Sequence, residues 1–303
     1  MATIRLGSVL PGIILLALGA LFLCGCRPAE SDAQLIVAVS LEPQAFLVDR
    51  ISGDRVRCIV VVPAGREPEN YQPTPEKIAA LSRAMVWFQT GMPFEAVLRP
   101  KLVSLAPRMK SIDLRTGIPM RKMELHAHGE GDGHRCCDED GNDPHIWLAP
   151  TALKTQTETI LRTLVELDPP RAPEYRLNAA ALLDEIEEAR HAIAETLRPY
   201  HGEIVFVFHP AYGYFCDEFG LRQQAIEFEG KSPSAKQLAV LIASAKLEKN
   251  PPTIFVQPEF NRAPADATAE ATGGSIVVHS PLDRDVLANL RQLAEEIVRR
   301  RAP

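Results

Sequence analysis

The chain has 303 residues, of which 46% are hydrophobic and 24% charged, and its formal net charge at pH 7 is −6. This composition is ordinary for a globular protein and provides enough apolar side chains for a sizeable core. The negative charge argues against a broad basic surface, so nucleic acid is not an expected partner. It is compatible with a cationic ligand, although it does not by itself indicate one.

The first 26 residues have the pattern of a bacterial lipoprotein signal. MATIR carries one positive charge, and the uncharged run LGSVLPGIILLALGALFL follows and ends in LCGC at residues 23–26. A Leu three positions before a Cys, with small residues between, predicts a signal peptide over 1–25 and acylation of Cys26. Residues 26–33 are then an anchor and linker. The alternative is a transmembrane helix, because the apolar run borders on the length that spans a bilayer.

An acylated Cys26 would hold a soluble domain at a membrane surface of the bacterial cell envelope without spanning the bilayer. Loss of residues 1–25 leaves 278 residues, enough for about two domains. The removed segment contains one Arg and no acidic residue, so the net charge changes from −6 to −7. The protein is therefore predicted to work outside the cytoplasm.

Strand and helix signals alternate through the first half of the mature chain. Short runs rich in β-branched residues are separated by segments with apolar residues at helical spacing. Thr74 before Pro75 provides an N-cap and a proline for the first helical position. This alternation predicts a parallel sheet flanked by helices. The predicted segments are strand 34–40, helix 43–52, strand 56–63, helix 74–84, strand 85–91, helix 93–105 and strand 109–114.

The second half shows the same alternation and predicts a second α/β lobe. Gly220 ends a short helix, and Ser232 or Ser234 caps a longer one. The predicted segments are strand 203–209, helix 211–220, strand 222–228, helix 232–250, strand 252–260, helix 263–274, strand 275–281 and helix 285–300.

A long helix is predicted between the two halves. The segment has about 26 residues without an internal Gly or Pro, which corresponds to a length of roughly 39 Å. We therefore expect an N-terminal lobe over 34–170, a linking helix over 171–200 and a C-terminal lobe over 201–303. A single stiff connection favours small rocking motions over wide opening. The predicted apolar stripe consists of Leu177, Leu182, Ile186, Ile193 and Leu197.

Residues 126–143 form a polar, acidic loop that carries many potential metal ligands. With almost no apolar residue, the loop cannot fold around a core, so we expect it to be mobile. Imidazole and thiolate bind zinc and copper well, and the loop could raise the local metal concentration. The alternatives are a solvated insertion without a role and a reactive or cross-linking Cys pair. The candidate ligands of the loop are His126, His128, His134, Cys136 and Cys137.

Histidines and carboxylates also follow several predicted strands. In open α/β sheets, ligands bind beyond the carboxyl ends of the strands. The segment GREPENYQPTP follows the second strand, and DPHIWLAP places His145 after the acidic loop. His209 ends the first strand of the second lobe, in FVFHPAYGYF, and IVVHSPLD ends its last strand.

These segments together resemble the substrate-binding proteins of zinc and manganese ABC importers (cluster A-I), and the His-rich loop is typical of the zinc branch. The resemblance rests on GREPENYQPTPEKIAALSRAMVWFQTG, DPHIWLAP, FHPAYGYFCDEFGL and HSPL in this order and spacing, and it covers nearly all of residues 34–300. It implies two lobes with parallel sheets joined by one rigid helix, with a metal ion in the cleft. It also implies a non-enzymatic receptor, a monomer, that delivers the ion to a permease and its ATPase.

The resemblance places metal ligands at Glu69, His145 and His209. Relatives have a His at the first of these positions and commonly an Asp just before PL, where this chain has Ser280. The three remaining groups still present one negative charge to a dication, as a His₃Asp set does. Zinc accepts two His and one Glu when water or a bidentate carboxylate completes the set. We expect the site to be more open than in relatives, and weaker or less selective.

Alternatives remain for each of these residues. The simplest alternatives are that Glu69 is a solvated acid of a loop and that the two histidines have a structural role. His279 follows the last strand, but strand alternation turns its side chain to the opposite face, and Asp283 and Glu259 are weaker candidates. Asp143, two residues before His145, is placed to orient that imidazole.

Zinc is the expected cargo, because two imidazoles favour zinc over manganese. In the family resembled, a His at the third ligand position accompanies zinc and a Glu accompanies manganese. Glu69 favours harder ions, so a Mn²⁺ or Fe²⁺ receptor is an alternative. A metal-dependent hydrolase is a second one, although no HExxH motif is present and Glu67 is the only nearby base. A metal-free relative with an adhesion or scaffold role is a third.

Overall fold

The computed structural model describes residues 1–3, 34–123, 141–227, 234–245 and 251–299. The elements given below all belong to the compact unit formed by residues 34–303. The predicted signal peptide beyond residue 3, Cys26 and all five candidate ligands of the acidic loop lie outside the described residues. Within the described ranges, no helix is both long enough and apolar enough to cross a bilayer.

The first lobe contains a four-stranded parallel sheet in the order β2-β1-β3-β4. The predicted cap of its second helix is formed, since the Lys77 N–H donates to Thr74 Oγ1 at 3.3 Å. Every predicted element of this half is present: the helix predicted over 93–105 has those bounds, the helix predicted over 43–52 begins one residue earlier, and the others are shorter than predicted. The elements are β1 Leu35–Val39, α1 Glu42–Ser52, β2 Val56–Val60, α2 Pro75–Leu81, β3 Val86–Gln89, α3 Pro93–Leu105 and β4 Lys110–Asp113.

The chain then forms two long helices, α4 Pro150–Leu167 and α5 Ala172–Leu197. Sequence reasoning did not identify α4. Helix α5 has the predicted 26 residues and packs against α1, α4 and α9 (Val286–Arg299), so it contacts helices from both halves of the chain.

The prediction that Leu177 belongs to the buried apolar stripe of α5 is wrong. Leu177 is 72% exposed, whereas the other four stripe residues are buried. At 3.6 residues per turn, position 177 lies about 140° around the helix from position 182, so the two cannot share a narrow face. The buried face is completed instead by Tyr175, Ala179 and Ala189.

The second lobe contains another four-stranded parallel sheet, in the order β6-β5-β7-β8. Helix α8 ends at Gly273, whose φ of 67° is the left-handed conformation that glycine adopts readily. The remaining elements are β5 Ile204–Val207, α6 Gly213–Glu218, β6 Arg222–Ala225, α7 Ala235–Ala245, β7 Thr253–Val256, α8 Ala263–Thr272 and β8 Ser275–Val278.

One continuous apolar core runs from the first sheet through α4 and α5 to α9 and the near face of the second sheet. A smaller apolar cluster covers the other face of the second sheet. The predicted fold class, two parallel-sheet α/β lobes joined by one long helix, is confirmed. The lobe boundaries at residues 170 and 201 stay predictions.

Candidate metal centre

The three predicted metal ligands converge on one point between the two sheets. His209 Nε2 lies 3.3 Å from His145 Nε2 and 3.3 Å from Glu69 Oε1. All three groups offer a ligand atom within 4.8 Å of the others, and no other such cluster of His, Cys, Asp or Glu occurs among the described residues. Glu69 is 9% exposed and each histidine 2%. The donors are therefore close enough to share a single ion, out of contact with bulk water.

Each ligand comes from a different part of the fold. Glu69 lies in the loop between β2 and α2, where the neighbouring Tyr71 packs edge-on against Phe94 of α3 with ring centroids 6.4 Å apart. His145 directly precedes the short 3₁₀ helix Ile146–Leu148 that leads into α4. His209 lies two residues beyond β5. Two ligands thus lie in the first lobe and one in the second.

His209 is held by groups from the neighbouring strands of its sheet. Its Nδ1 lies 2.5 Å from Glu227 Oε1, beyond β6. Gln257, just after β7, accepts the His209 N–H at 3.2 Å and donates to the His209 carbonyl at 2.9 Å. Phe260 stacks on the imidazole at 5.1 Å between ring centroids. Carboxyl ends of adjacent parallel strands meet at one edge, which brings these groups around the ring.

Asp143 orients His145, as expected from the sequence. Its Oδ1 accepts the His145 backbone N–H at 3.0 Å and lies 2.7 Å from His145 Nδ1. Its Oδ2 accepts from Arg121 Nη1 at 2.7 Å, and the carboxylate is fully buried. Sequence reasoning did not identify Arg121 or Glu227 as part of the site.

The geometry fits a divalent cation. Both Nδ1 atoms face carboxylates, an arrangement that favours donation from Nδ1 and leaves each Nε2 as the atom available to a metal ion once it is deprotonated. Two nitrogens bound tetrahedrally to zinc at 2.0–2.1 Å lie about 3.3 Å apart, which is the separation observed here. Glu69 Oε2 is buried and has no hydrogen-bond partner among the residues that the structure describes. A buried acceptor of this kind calls for a counterpart, and a metal ion supplies one.

Burial and charge act in opposite directions on the pKa values at the site. Burial lowers the pKa of His209, but Glu227 and Glu69 outweigh it and raise that pKa well above its usual range. Burial raises the pKa of Glu69, but the hydrogen bond and charge of His209 and the charge of His145 bring it below the usual value. Burial also raises the pKa of Asp143, but the charge and hydrogen bonds of His145 and the charge of Arg121 bring it below the usual value. In the metal-free protein, a proton on His209 therefore competes with a metal ion.

Ser280, at the position where the family resembled commonly has an Asp ligand, is not among the described residues that line the site. Its Oγ accepts the Leu282 N–H at 3.2 Å. Asp283 is exposed and accepts the Asp285 N–H. The residues that surround the ligand atoms are Pro68, Trp147, Gln257, Glu259, Phe260, Pro281 and Leu282.

Three other residues considered from the sequence lie outside the group of ligand atoms. His279 is buried away from the site, where its Nδ1 lies 3.0 Å from the Tyr212 hydroxyl and its Nε2 donates to the Asn289 carbonyl at 3.3 Å. Burial lowers its pKa. Glu259 lines the site and Glu67 lies nearby, and burial together with the charge of Glu69 raises the pKa of both.

The family described as zinc-uptake complex component A, periplasmic (ZnuA), matches residues 37–299 of this chain. The chain belongs to this family. The high-affinity zinc uptake system protein ZnuA of Yersinia pestis is 27% identical over 293 residues, covering 88% of this chain and 91% of that protein. The manganese-binding lipoprotein MntA of Halalkalibacterium halodurans is 26% identical over 246 residues, covering 79% and 77%. A crystal structure of ZnuA superposes with a TM-score of 0.80 at 34% identity, covering 89% of this chain and 100% of that one.

Membership in this ZnuA family confirms the resemblance found in the sequence. Its members are substrate-binding proteins of ABC importers, work outside the cytoplasm with a permease and an ATPase, and are not enzymes. The hydrolase alternative is therefore wrong. Relatives named for zinc and for manganese both match, so membership identifies a metal receptor.

Proposed function

We propose that this receptor binds one Zn²⁺ through Glu69, His145 and His209 and delivers it to the permease of an ABC importer. One observation carries the proposal: two imidazole Nε2 atoms lie 3.3 Å apart beside a buried carboxylate oxygen that has no hydrogen-bond partner in the described part of the chain. A carboxylate behind each ring fixes the tautomer that a metal ion requires. No chemical step on the ion is needed for capture and delivery.

The donor set favours zinc over manganese. Two neutral imidazoles suit a borderline-soft ion, whereas manganese prefers carboxylate, carbonyl and water oxygens. Zinc also accepts four-coordinate sites, so the three protein ligands leave one position to fill. The fourth coordination position can be filled by water or by Glu69 Oε2, which is buried and has no hydrogen-bond partner among the described residues.

The placement of the receptor in the envelope is also part of the proposal. The LCGC sequence at residues 23–26 supports acylation of Cys26, which would keep a monomeric receptor at the membrane surface beside its permease. The acidic loop, with His126, His128, His134, Cys136 and Cys137, supports a role in collecting zinc near the site. Both parts rest on the sequence alone.

Metal analysis of the purified mature protein tests the proposal, with and without residues 126–141 so that the loop does not mask the central site. We expect one zinc per chain in the loop-deleted protein, and zinc should be retained in competition with Mn²⁺ and Fe²⁺. His145→Ala and His209→Ala should abolish this stoichiometric zinc. His191→Ala is the matched control, because His191 is an exposed histidine on α5.

Three outcomes would count against the proposal. Retention of zinc by both histidine variants would remove the ligand assignment. Preferential retention of Mn²⁺ or Fe²⁺ would identify a receptor for a harder ion. A folded protein that holds no metal would instead favour the adhesion or scaffold alternative.

A further inference from the structure

Arg121 connects the segment that carries His145 to helix α6 of the second lobe. Its Nη1 donates to Asp143 Oδ2 at 2.7 Å, and its Nε donates to Asp217 Oδ2 at 2.8 Å. Its guanidinium carbon lies 5.9 Å from the ring centroid of Tyr214, and its backbone N–H donates to the Tyr214 hydroxyl at 3.2 Å. The Arg121 side chain is only 15% exposed and Asp143 is fully buried, so the pair that they form is largely shielded from water.

The surface of α6 accommodates the guanidinium because Gly213 lacks a side chain. A Cβ at Gly213 would lie 1.6 Å from Arg121 Nη1 and 2.2 Å from Cζ. Any larger residue there would require Arg121 to move. The first residue of α6 therefore has a steric reason to be glycine, and that reason is the position of Arg121.

Helix α6 holds the chain on both sides of His145. The Tyr214 hydroxyl lies 3.2 Å from the carbonyl oxygen of Asp143, which precedes the ligand. Glu218, at the other end of α6, accepts from the backbone N–H and hydroxyl of Thr151, at the start of α4. A metal ligand of the first lobe is thus fastened to the helix that follows His209 in the second.

The Arg121–Asp143 pair determines how His145 faces the ion. Asp143 uses one oxygen for the imidazole and the other for Arg121, so the guanidinium fixes which oxygen each group contacts. A planar, forked donor suits this task better than a point charge. Without it, a fully buried carboxylate would lose its permanent cation, and the aspartate would have reason to rotate or take up a proton.

We propose that Arg121 is a positioning residue for metal binding, which holds Asp143 so that His145 presents Nε2 to the ion. It also ties this ligand to α6, so that the two histidines form a preassembled pair. The inference rests on the proposed function, because its effect is measured as zinc affinity. It adds a residue outside the ligand set, one that touches neither the ion nor an imidazole.

The test compares Arg121→Gln and Arg121→Lys with Arg50→Gln as the matched control. Arg50 is a partly buried arginine that pairs with Glu185 on α5, at 2.5 Å between the closest atoms. The measurements are the zinc dissociation constant by competition titration, the Tm of the metal-free protein, and the Nδ1–H resonance of His145 in ¹⁵N-edited NMR spectra. All variants are made in the full mature chain.

We expect Arg121→Gln to weaken zinc binding by about 10- to 100-fold, the usual cost of losing an outer partner of a metal-bound His. Its His145 Nδ1–H resonance should shift or broaden. Loss of a positive charge alone would strengthen binding of a cation, so weaker binding reports lost positioning. The zinc affinity of Arg121→Lys should lie between those of the wild type and Arg121→Gln, because one ammonium group cannot reproduce the forked contact with Asp143 and Asp217. Arg50→Gln should bind zinc like the wild type.

Unchanged zinc affinity together with an unchanged His145 resonance in a folded Arg121→Gln protein would overturn the inference. Should that variant fail to fold, Asp217→Asn gives the decisive result. Asp217 is 59% exposed, and its replacement removes the ion pair between Arg121 and α6 but not the pair with Asp143. We therefore expect zinc affinity to fall by less than tenfold, with little change in Tm. No change in affinity there would remove the tie to α6. Absence of zinc binding in the wild type and in Arg50→Gln would refute the proposed function instead.

Discussion

Replacing Glu69 with Gln should remove most of the zinc affinity while leaving the metal-free fold intact. Glutamine has the same shape as glutamate, and Glu69 Oε2 makes no hydrogen bond to any residue that the structure describes. The contact with His209 Nε2, at 3.3 Å, is the main interaction that changes in the metal-free protein. We expect that change to cost about 1 kcal/mol of unfolding free energy, the centre of the range for single substitutions.

The loss of affinity follows from the role of Glu69 as the charged ligand. Substituting an outer partner of a metal-bound His costs about 10- to 100-fold, so removing a charged ligand itself should cost at least about 100-fold. That corresponds to about 2.8 kcal/mol. At a free zinc concentration of about 1,000 times the wild-type Kd, zinc stabilises the wild-type fold by about 4.1 kcal/mol. The same zinc concentration should stabilise the variant by only about 1.4 kcal/mol.

Calorimetric zinc titration and thermal unfolding with and without zinc measure both quantities. The zinc-induced rise in Tm should fall to roughly a third of the wild-type value, in proportion to these free energies. Glu76→Gln is the matched control, because Glu76 is an exposed acid at the start of the adjacent helix α2. A Glu69→Gln protein with wild-type zinc affinity would show that Glu69 is a loop acid and not a ligand.

Three further predictions concern one neighbour of the site and two buried residues elsewhere in the fold. Glu227→Gln should weaken zinc binding by about 10- to 100-fold. Burial lowers the pKa of His209, and Glu227 and Glu69 together raise it above its usual range, so loss of the Glu227 charge should lower that pKa and move the fall in zinc affinity on acidification to lower pH in titrations over a pH series. Leu182→Ala, on the buried face of α5, should cost about 2–5 kcal/mol in urea unfolding and leave zinc affinity unchanged. Burial raises the pKa of Glu95, which accepts a hydrogen bond from Ser40, so the contribution of Glu95 to stability is fully present below the ordinary pKa and is lost as pH rises through the raised pKa. The stability difference between wild type and Glu95→Gln in urea should therefore shrink with rising pH, and a gap that widens would refute this.

The three residues proposed as ligands could be identified as candidates because each lies at a recognisable place in the chain. His209 directly follows an apolar strand, and Glu69 and His145 lie in segments whose proline and histidine pattern resembles a known family. Parallel sheets bring strand ends together, so residues 140 positions apart in sequence meet at one point. The sequence did not indicate that the Ser280 hydroxyl accepts a hydrogen bond from the Leu282 N–H.

Glu227 was missed because nothing in AIEFEG distinguishes it from a solvated acid. The signal lies in the strand pairing: β5 and β6 are parallel with Val207 opposite Ala225, and the same register places position 227 beside His209. Recognising it requires knowing that these two strands are neighbours. A similar limit applies to Arg121, which reaches Asp143 and α6 from a segment that belongs to no regular element.

Helix α4 was missed for a local reason. It contains five threonines in 18 residues, and β-branched residues have low helix propensity because their χ1 freedom is restricted in a helix. Tertiary packing outweighs this preference. The hydroxyls of Thr157 and Thr163 donate to the carbonyls four residues earlier, and the apolar face packs on α5 and α1. The helix is stabilised by its neighbours more than by its own sequence.

The charge around the site explains how a metal site can tolerate two altered family positions. The ligands alone carry one negative charge, on Glu69, which leaves a dication half compensated. The buried carboxylates behind the two imidazoles, Asp143 and Glu227, add two formal negative charges, and Arg121 removes one. The formal charges of these four side chains therefore sum to −2, which balances the charge of a divalent ion. In a medium of low effective dielectric, charges next to the ligands contribute strongly to ion binding, so the carboxylate missing at position 280 need not be replaced in the ligand set itself.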